Sequence, residues 1–246
     1  MPTKHPLDLL VRSLALRSPL TASDRQAICD LPHVVQALDP ASYLVREGEP
    51  PYRCGVLVTG FAYRQKITRT GARQIISLHI PGDAVDFQNI FLDVADHNVQ
   101  LLTRAEVAFV PREALQQLVR DNDRIGTAVF VKSLIEGSIF REWVVNVGRR
   151  AARERIAHLL CELGARLDAM GLAEEYGYEL PMTQEELGDA VGLTPVHVSR
   201  TLKDLSADGL IVRNKRSIAF PDWRRIREAG DFYERYLHLA PQHSAG

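Results

Sequence analysis

Cysteine is scarce: Cys29, Cys54 and Cys161 are the only three in 246 residues. They are odd in number, far apart and never paired as C-x-x-C, which argues against a disulfide framework and against a cysteine zinc site. Long uncharged apolar runs are also missing. None approaches the ~18 residues of a transmembrane helix. The first twenty residues are interrupted by Asp8, Arg12 and Arg17, where a secretory signal would keep an unbroken apolar stretch. The expectation is a cytoplasmic chain with no membrane partner, opening on a short amphipathic helix. An excess of charge of either sign is absent too: 30 Lys and Arg against 31 Asp and Glu leave a net −1, so there is no basic field over the whole molecule. No G-x-S-x-G, P-loop or paired-carboxylate motif occurs. His79 and His97 have no second histidine two residues away, as a metal-binding cupin would need. Catalysis is not expected, and no cofactor is evident.

What is present is ordinary globular material, 46% hydrophobic, enough to bury real cores in one large or two modest domains. From about Pro40 to Pro111 the texture is β-like. Short apolar runs (Tyr43–Val45, Gly55–Val58, Ile75–Ile80, Val107–Val110) alternate with turn signals at Glu47-Gly48-Glu49-Pro50, Thr70-Gly71 and Pro81-Gly82-Asp83. This spacing suggests a small sandwich or roll. From Pro111 to Arg150 the apolar residues recur every three to four positions along a helix of roughly seven turns. Its apolar face, which includes Leu134, Ile135, Ile139, Trp143 and Val147, is unusually broad. Such a face either meets a partner helix in a dimer seam or is buried within its own domain. A strong amphipathic helix follows, from about Glu154 to Met170, then a loop, Gly171–Leu180, with a strand-like end. The domain boundary is expected near Asn146–Arg150, giving a roll over 1–120, a dimerisation helix over 121–148 and a third region over 149–246.

The third region holds the most informative stretch, Met182–Val212. Thr183 and Glu186 form a capping box that starts a helix. Gly192 supplies a tight turn. Thr194 caps a second helix with Pro195 at its first position, where the missing N–H costs nothing. Val198, Leu202 and Leu205 form its inner face. Two short helices about a glycine turn place a recognition helix in the DNA major groove. Leu210–Phe220, with the basic turn Arg213-Asn214-Lys215-Arg216, reads as a β-hairpin wing. Residues 195–227 carry eight Lys and Arg against three Asp, a net +5, whereas 149–246 as a whole nets −1. The positive charge is concentrated on the reading helix and wing, the footprint of a phosphate-contacting surface. A solvated helical hairpin with ordinary surface charges is the plainer alternative.

These segments resemble the Crp/Fnr family of bacterial transcription regulators. The helix-turn-helix Thr183–Leu210 carries the likeness most specifically. The run Gly148–Leu160 is similar to the family's hinge and first DNA-domain helix, and Arg46–Pro50 and Ile80–Asp83 are similar to its roll signatures. The resemblance implies an α+β chain: an N-terminal β-roll of the cyclic-nucleotide-binding jelly-roll type, a long dimerisation helix, and a C-terminal winged helix-turn-helix. It also implies a homodimer reading palindromic double-stranded DNA, with RNA polymerase as a partner and activation as the usual outcome. Fnr-like members carry Glu-x-x-Ser-Arg in the recognition helix. Ser199 and Arg200 match its last two positions, but Val196 stands at the glutamate. Arg200 is then the candidate for a bidentate guanine contact, Ser199 for a base or phosphate, Val196 for a thymine methyl, and His197 for an additional contact. Gln184, Lys203, Arg213, Lys215 and Arg216 are expected on phosphates, setting affinity rather than sequence choice.

The roll lacks the family's known sensing residues. Cyclic-AMP binders hold the ligand with Gly-Glu and, about ten residues on, Arg-Ser. A gapless reading puts Asp86-Phe87 and His97-Asn98 there, and no arginine for the phosphate. Cys29 and Cys54 alone cannot ligate an iron–sulfur cluster. His5, His33, His79 and His97 are available to haem but lie in no diagnostic motif. The effector is not legible, and the alternative reading is a ligand-binding roll, sensing a cyclic nucleotide, haem or redox state, whose DNA binding is secondary.

Overall fold

The computed structural model describes residues 5–173 and 177–239. The chain divides into two compact units, one of residues up to 66, 77–137 and from 238 on, the other of 67–76 and 138–237.

The first unit opens with two helices, α1 (Asp8–Ala15) and α2 (Ala22–Cys29). The second starts on a capping box: Asp24 N–H donates to Thr21 Oγ1, and Thr21 N–H donates to the Asp24 carboxylate. Seven strands follow: β1 (Val34–Leu38), β2 (Tyr43–Val45), β3 (Arg53–Leu57), β4 (Ala62–Ile67), β5 (Arg73–His79), β6 (Asn98–Leu101) and β7 (Ala105–Pro111), with β4 and β5 running into the stretch 67–76 that belongs to the second unit. They form two sheets, ordered β1-β7-β3 and β2-β6-β4-β5. Side chains alternate across a strand, and here both faces of β3 and β7 are covered. Val56, Ala108 and Val110 enter one apolar cluster with Leu10, Ile28 and Phe87. Leu57, Val107 and Phe109 enter another with Val85, Val99 and Leu101. Each such side chain withdrawn from water contributes about 1.5–3 kcal/mol. The turn at Pro81-Gly82-Asp83 is tied at both ends. Asp83 accepts from the Ile80 N–H (3.0 Å) and from Lys132 Nζ (2.7 Å).

Two further helices are α3 (Arg112–Asp121) and the 27-residue α4 (Asp123–Arg149). Asn122 separates them in extended geometry, and its side-chain oxygen caps α4 through the Ile125 N–H. At 1.5 Å per residue α4 is about 40 Å long.

In the second unit α5 (Ala152–Ala169) is the central helix, buried all round from Ile156 to Leu167, as expected of a helix at the middle of a core. Around it stand α6 (Gln184–Val191), α7 (Pro195–Ala207), α8 (Trp223–Ala229) and a sheet of β8 (Gly177–Glu179), β10 (Ser217–Ala219) and β9 (Val212–Asn214), in that order. The wing thus has a third strand, from the strand-like end of the loop after α5. Tyr178 closes the layer by donating its hydroxyl to the Leu160 carbonyl at 2.8 Å.

Candidate functional site

The helix-turn-helix is built from local chemistry. Thr183 Oγ1 accepts from Glu186 N–H, and the Glu186 carboxylate accepts from Thr183 N–H at 2.8 Å. Helix α6 ends at Gly192, whose φ of +68° is a left-handed conformation natural to glycine. Thr194 Oγ1 caps α7 through His197 N–H, with Pro195 at the first position. The turn folds tightly enough that Leu193 N–H donates to the Gly188 carbonyl at 3.0 Å. A Cβ on Gly188 would meet the Leu193 carbonyl oxygen at 2.4 Å. Gly188→Ala must therefore push the turn apart, and we expect a loss of about 1–3 kcal/mol in stability, read by urea unfolding, with weaker DNA binding. An alanine variant as stable as the parent would show that the turn can shift freely.

Val198, Leu202 and Leu205 bury the inner face of α7. Val196, His197, Arg200 and Lys203 stand exposed on it, and Ser199 is half-buried. Gln184 is exposed at the start of α6; Arg213, Lys215 and Arg216 are exposed on the wing. Among the described residues, the side chains of Arg200, Lys203, Arg213 and Lys215 make no ion pair. Their charge faces outward unneutralised, which suits a polyanion. Arg73 Nε donates to Asp189 Oδ2 at 2.6 Å on α6, removing one carboxylate's charge from this unit's field.

Residues 154–229 match the family model of the Crp-like helix-turn-helix domain, and residues 35–122 that of the cyclic nucleotide-binding domain. The transcriptional activator protein FnrL of Cereibacter sphaeroides is 32% identical over 180 residues, 71% of this chain and 72% of that one. The chain belongs to the Crp/Fnr family. It is a DNA-binding transcription regulator of that type. The transcriptional activator protein Anr of Pseudomonas aeruginosa is 24% identical over 222 residues, 90% of this chain and 91% of that one. FixK2 from Bradyrhizobium japonicum shares the fold, with a TM-score of 0.75 at 24% identity over 81% of this chain and 98% of its own. Among the described residues no helix is long and apolar enough to cross a membrane.

Within this Crp/Fnr chain, the roll interior holds a polar cluster that the sequence reading half found. It placed Asp86 and His97 where other members grip a cyclic nucleotide. Here the two face each other, His97 Nε2 standing 3.6 Å from Asp86 Oδ2. Arg64, from β4, was missed. Its Nη2 donates to the Val85 carbonyl (3.2 Å) and lies 3.9 Å from Asp86 and 3.7 Å from Glu136 of α4. Asn89 donates its side-chain amide to Asp86, and His97 Nδ1 lies 2.6 Å from Asp96. Arg64 Nε, Asp86 Oδ1, Asn89 Oδ1 and His97 Nε2 are buried without a hydrogen-bond partner, an expensive arrangement. Burial pushes the Asp86 carboxyl up to about 7 against the opposing pull of Arg64, and burial, then Arg64, holds His97 below its ordinary value.

Burial likewise disfavours the thiolate at the cysteines, most strongly at the buried Cys54 and Cys161. Burial and then the Asp86 charge push Cys54 up to about 12; burial raises Cys161; burial and then Asp8 raise Cys29. A reactive cysteine needs its thiolate.

The five residues expected at the dimer seam separate in the structure. Leu134 is 55% exposed, whereas Ile135, Ile139 and Trp143 are at most 8% exposed within the single chain, and Val147 is half-buried. Trp143 is further fixed by its indole N–H, 3.1 Å from both oxygens of the buried Glu162 carboxylate. Ile135, Ile139 and Trp143 are therefore corrected to core positions. The apolar side chains left open on α4 are Phe130, Leu134, Phe140, Val144 and Val145. Periodicity could not tell these faces apart, because α4 is apolar on both.

Proposed function

We propose that the protein is a cytoplasmic homodimeric activator, not an enzyme, that reads a palindrome with one α7 per half-site and touches RNA polymerase. The observation that carries this reading is the exposed row of α7, with Arg200 unpaired at its centre over a buried Val198–Leu202–Leu205 anchor. Arg200 makes the bidentate guanine contact. Ser199, His197 and Val196 complete base readout, and Gln184, Lys203, Arg213, Lys215 and Arg216 hold phosphates. Dimerisation is assigned to the open face of α4, with the roll (1–120) as the regulatory part and 149–246 as the reading part. The relatives named as activators support the direction of control.

A cyclic nucleotide is not its effector in this reading. The phosphate would meet the carboxylates of Asp86 and Glu136 beside the Arg64 guanidinium, and like charge in a buried site disfavours it.

The test is selection of bound sequences from a random DNA pool, followed by Arg200→Ala on the selected site. The expected result is a palindrome, and a loss of about 1–3 kcal/mol in discrimination at one base pair per half-site, with affinity for random DNA nearly unchanged. Equal loss on selected and random DNA would reject Arg200 as a base reader.

A further inference from the structure

Among the described residues, one group of three side chains offers ligands of the kinds a transition metal takes: His5, Asp8 and Cys29, whose ligand atoms all lie within 4.8 Å of one another. We infer that these three residues form a binding site for a divalent transition ion of the zinc type, at the N-terminal end of the first unit.

Three separate stretches supply the ligands: the segment before α1, the first residue of α1 and the last residue of α2. The donor set is one nitrogen, one carboxylate oxygen and one sulfur, a combination that suits Zn²⁺ and its neighbours and not Mg²⁺ or Ca²⁺. The spacing is close to what such an ion requires. Zinc bonds of about 2.3 Å to sulfur and about 2.1 Å to oxygen, at tetrahedral angles, put S and O about 3.6 Å apart. Cys29 Sγ lies 3.9 Å from Asp8 Oδ1.

The surroundings hold the ligands in place. Asp8 Oδ2 accepts the His5 backbone N–H at 2.9 Å, which leaves Oδ1 facing the sulfur. His5 Nδ1 accepts from the Leu7 N–H at 3.2 Å, a bond that the ion must displace to take this nitrogen. The His33 ring stands beside that of His5, edge-on to it, with centroids 5.3 Å apart. His33 Nδ1 is 2.8 Å from the Leu31 carbonyl. A carbonyl can only accept, so Nδ1 carries a proton. A groove of about 690 Å³, lined by Asp8 and Cys29 among others, provides an entry path.

Binding balances simply. The Cys29 S–H bond breaks, the sulfur–metal bond forms, and one proton leaves to solvent. The dication, one thiolate and one carboxylate sum to zero charge. The ion would fasten the segment before α1 to the end of α2.

The experiment uses the full chain, stripped with chelator and titrated with Co²⁺. One ion per chain is expected, with a thiolate-to-cobalt charge-transfer band and the strong visible absorption of tetrahedral cobalt, both displaced by Zn²⁺. Cys29→Ser should abolish the charge-transfer band. His5→Ala and Asp8→Asn should each weaken binding at least about 10-fold. Circular dichroism and operator binding show that each variant is folded. Cobalt bound without the band, a band that survives in folded Cys29→Ser, or unchanged affinity in both other variants would overturn the site.

Discussion

Leu134→Glu combined with Val144→Glu is expected to turn the proposed dimer into a folded monomer. Both side chains are more than half exposed on α4, so neither change opens a cavity in the single chain. In a two-fold seam each appears twice. At about 1.5–3 kcal/mol per buried Val or Leu, removing four such side chains costs on the order of 6 kcal/mol, or about 10⁴ in the dimer dissociation constant. Palindrome affinity should fall with it, because a monomer presents a single α7. Sedimentation velocity across nanomolar to micromolar protein reads the first effect and titration of the selected site reads the second. A double variant still dimeric at nanomolar concentration would place the seam elsewhere. Charging Ile139 or Trp143 would instead unfold the chain, since both are core residues here.

Asp86→Asn should stabilise the protein at pH 8 and leave it nearly unchanged at pH 4. The carboxyl titrates near 7 when folded and at the ordinary 3.8 when unfolded. Between those values the folded state holds a proton that the unfolded state has released, so stability falls as pH rises through the window. Above pH 7 the whole penalty is in force. The separation of about three units corresponds to roughly 4 kcal/mol, an upper bound. His97 acts at the other end: its lowered pKa means the unfolded state binds the extra proton below about 6.5, so its contribution weakens stability as pH drops. Arg64, Glu136, Asn89, Asp96 and Lys66 surround the pair and set its field. Urea unfolding of parent and variant at several pH values between 4 and 8 separates the two contributions. A stability difference that does not grow with pH would contradict the assignment of Asp86.

The reading helix was legible because its determinants are local. Thr183 and Glu186, Gly192, and Thr194 with Pro195 act within three or four residues of one another, and each performs in the structure the role its spacing implies. The roll was legible in outline only. Strands β1, β4 and β6 were not read, since each is specified by a partner strand far along the chain: Val34 pairs with Phe109, and Ala62 with Leu101. The Arg64–Asp86–His97–Glu136 cluster is of the same kind, brought together across more than 70 residues. His5 was read only as a histidine available to haem, and its meeting with Asp8 and Cys29 depends on how α1 and α2 pack.

The chain contains two tryptophans, Trp143 and Trp223, and both belong to the second unit. Trp143 sits with its indole N–H on a buried carboxylate, and Trp223 packs edge-on to Phe220 at 5.2 Å. Intrinsic fluorescence excited at the indole band is therefore a built-in label for the second unit alone. Unfolding followed by emission and by circular dichroism will coincide if the halves melt together. If the roll melts on its own, it does so optically silent, and the two curves part.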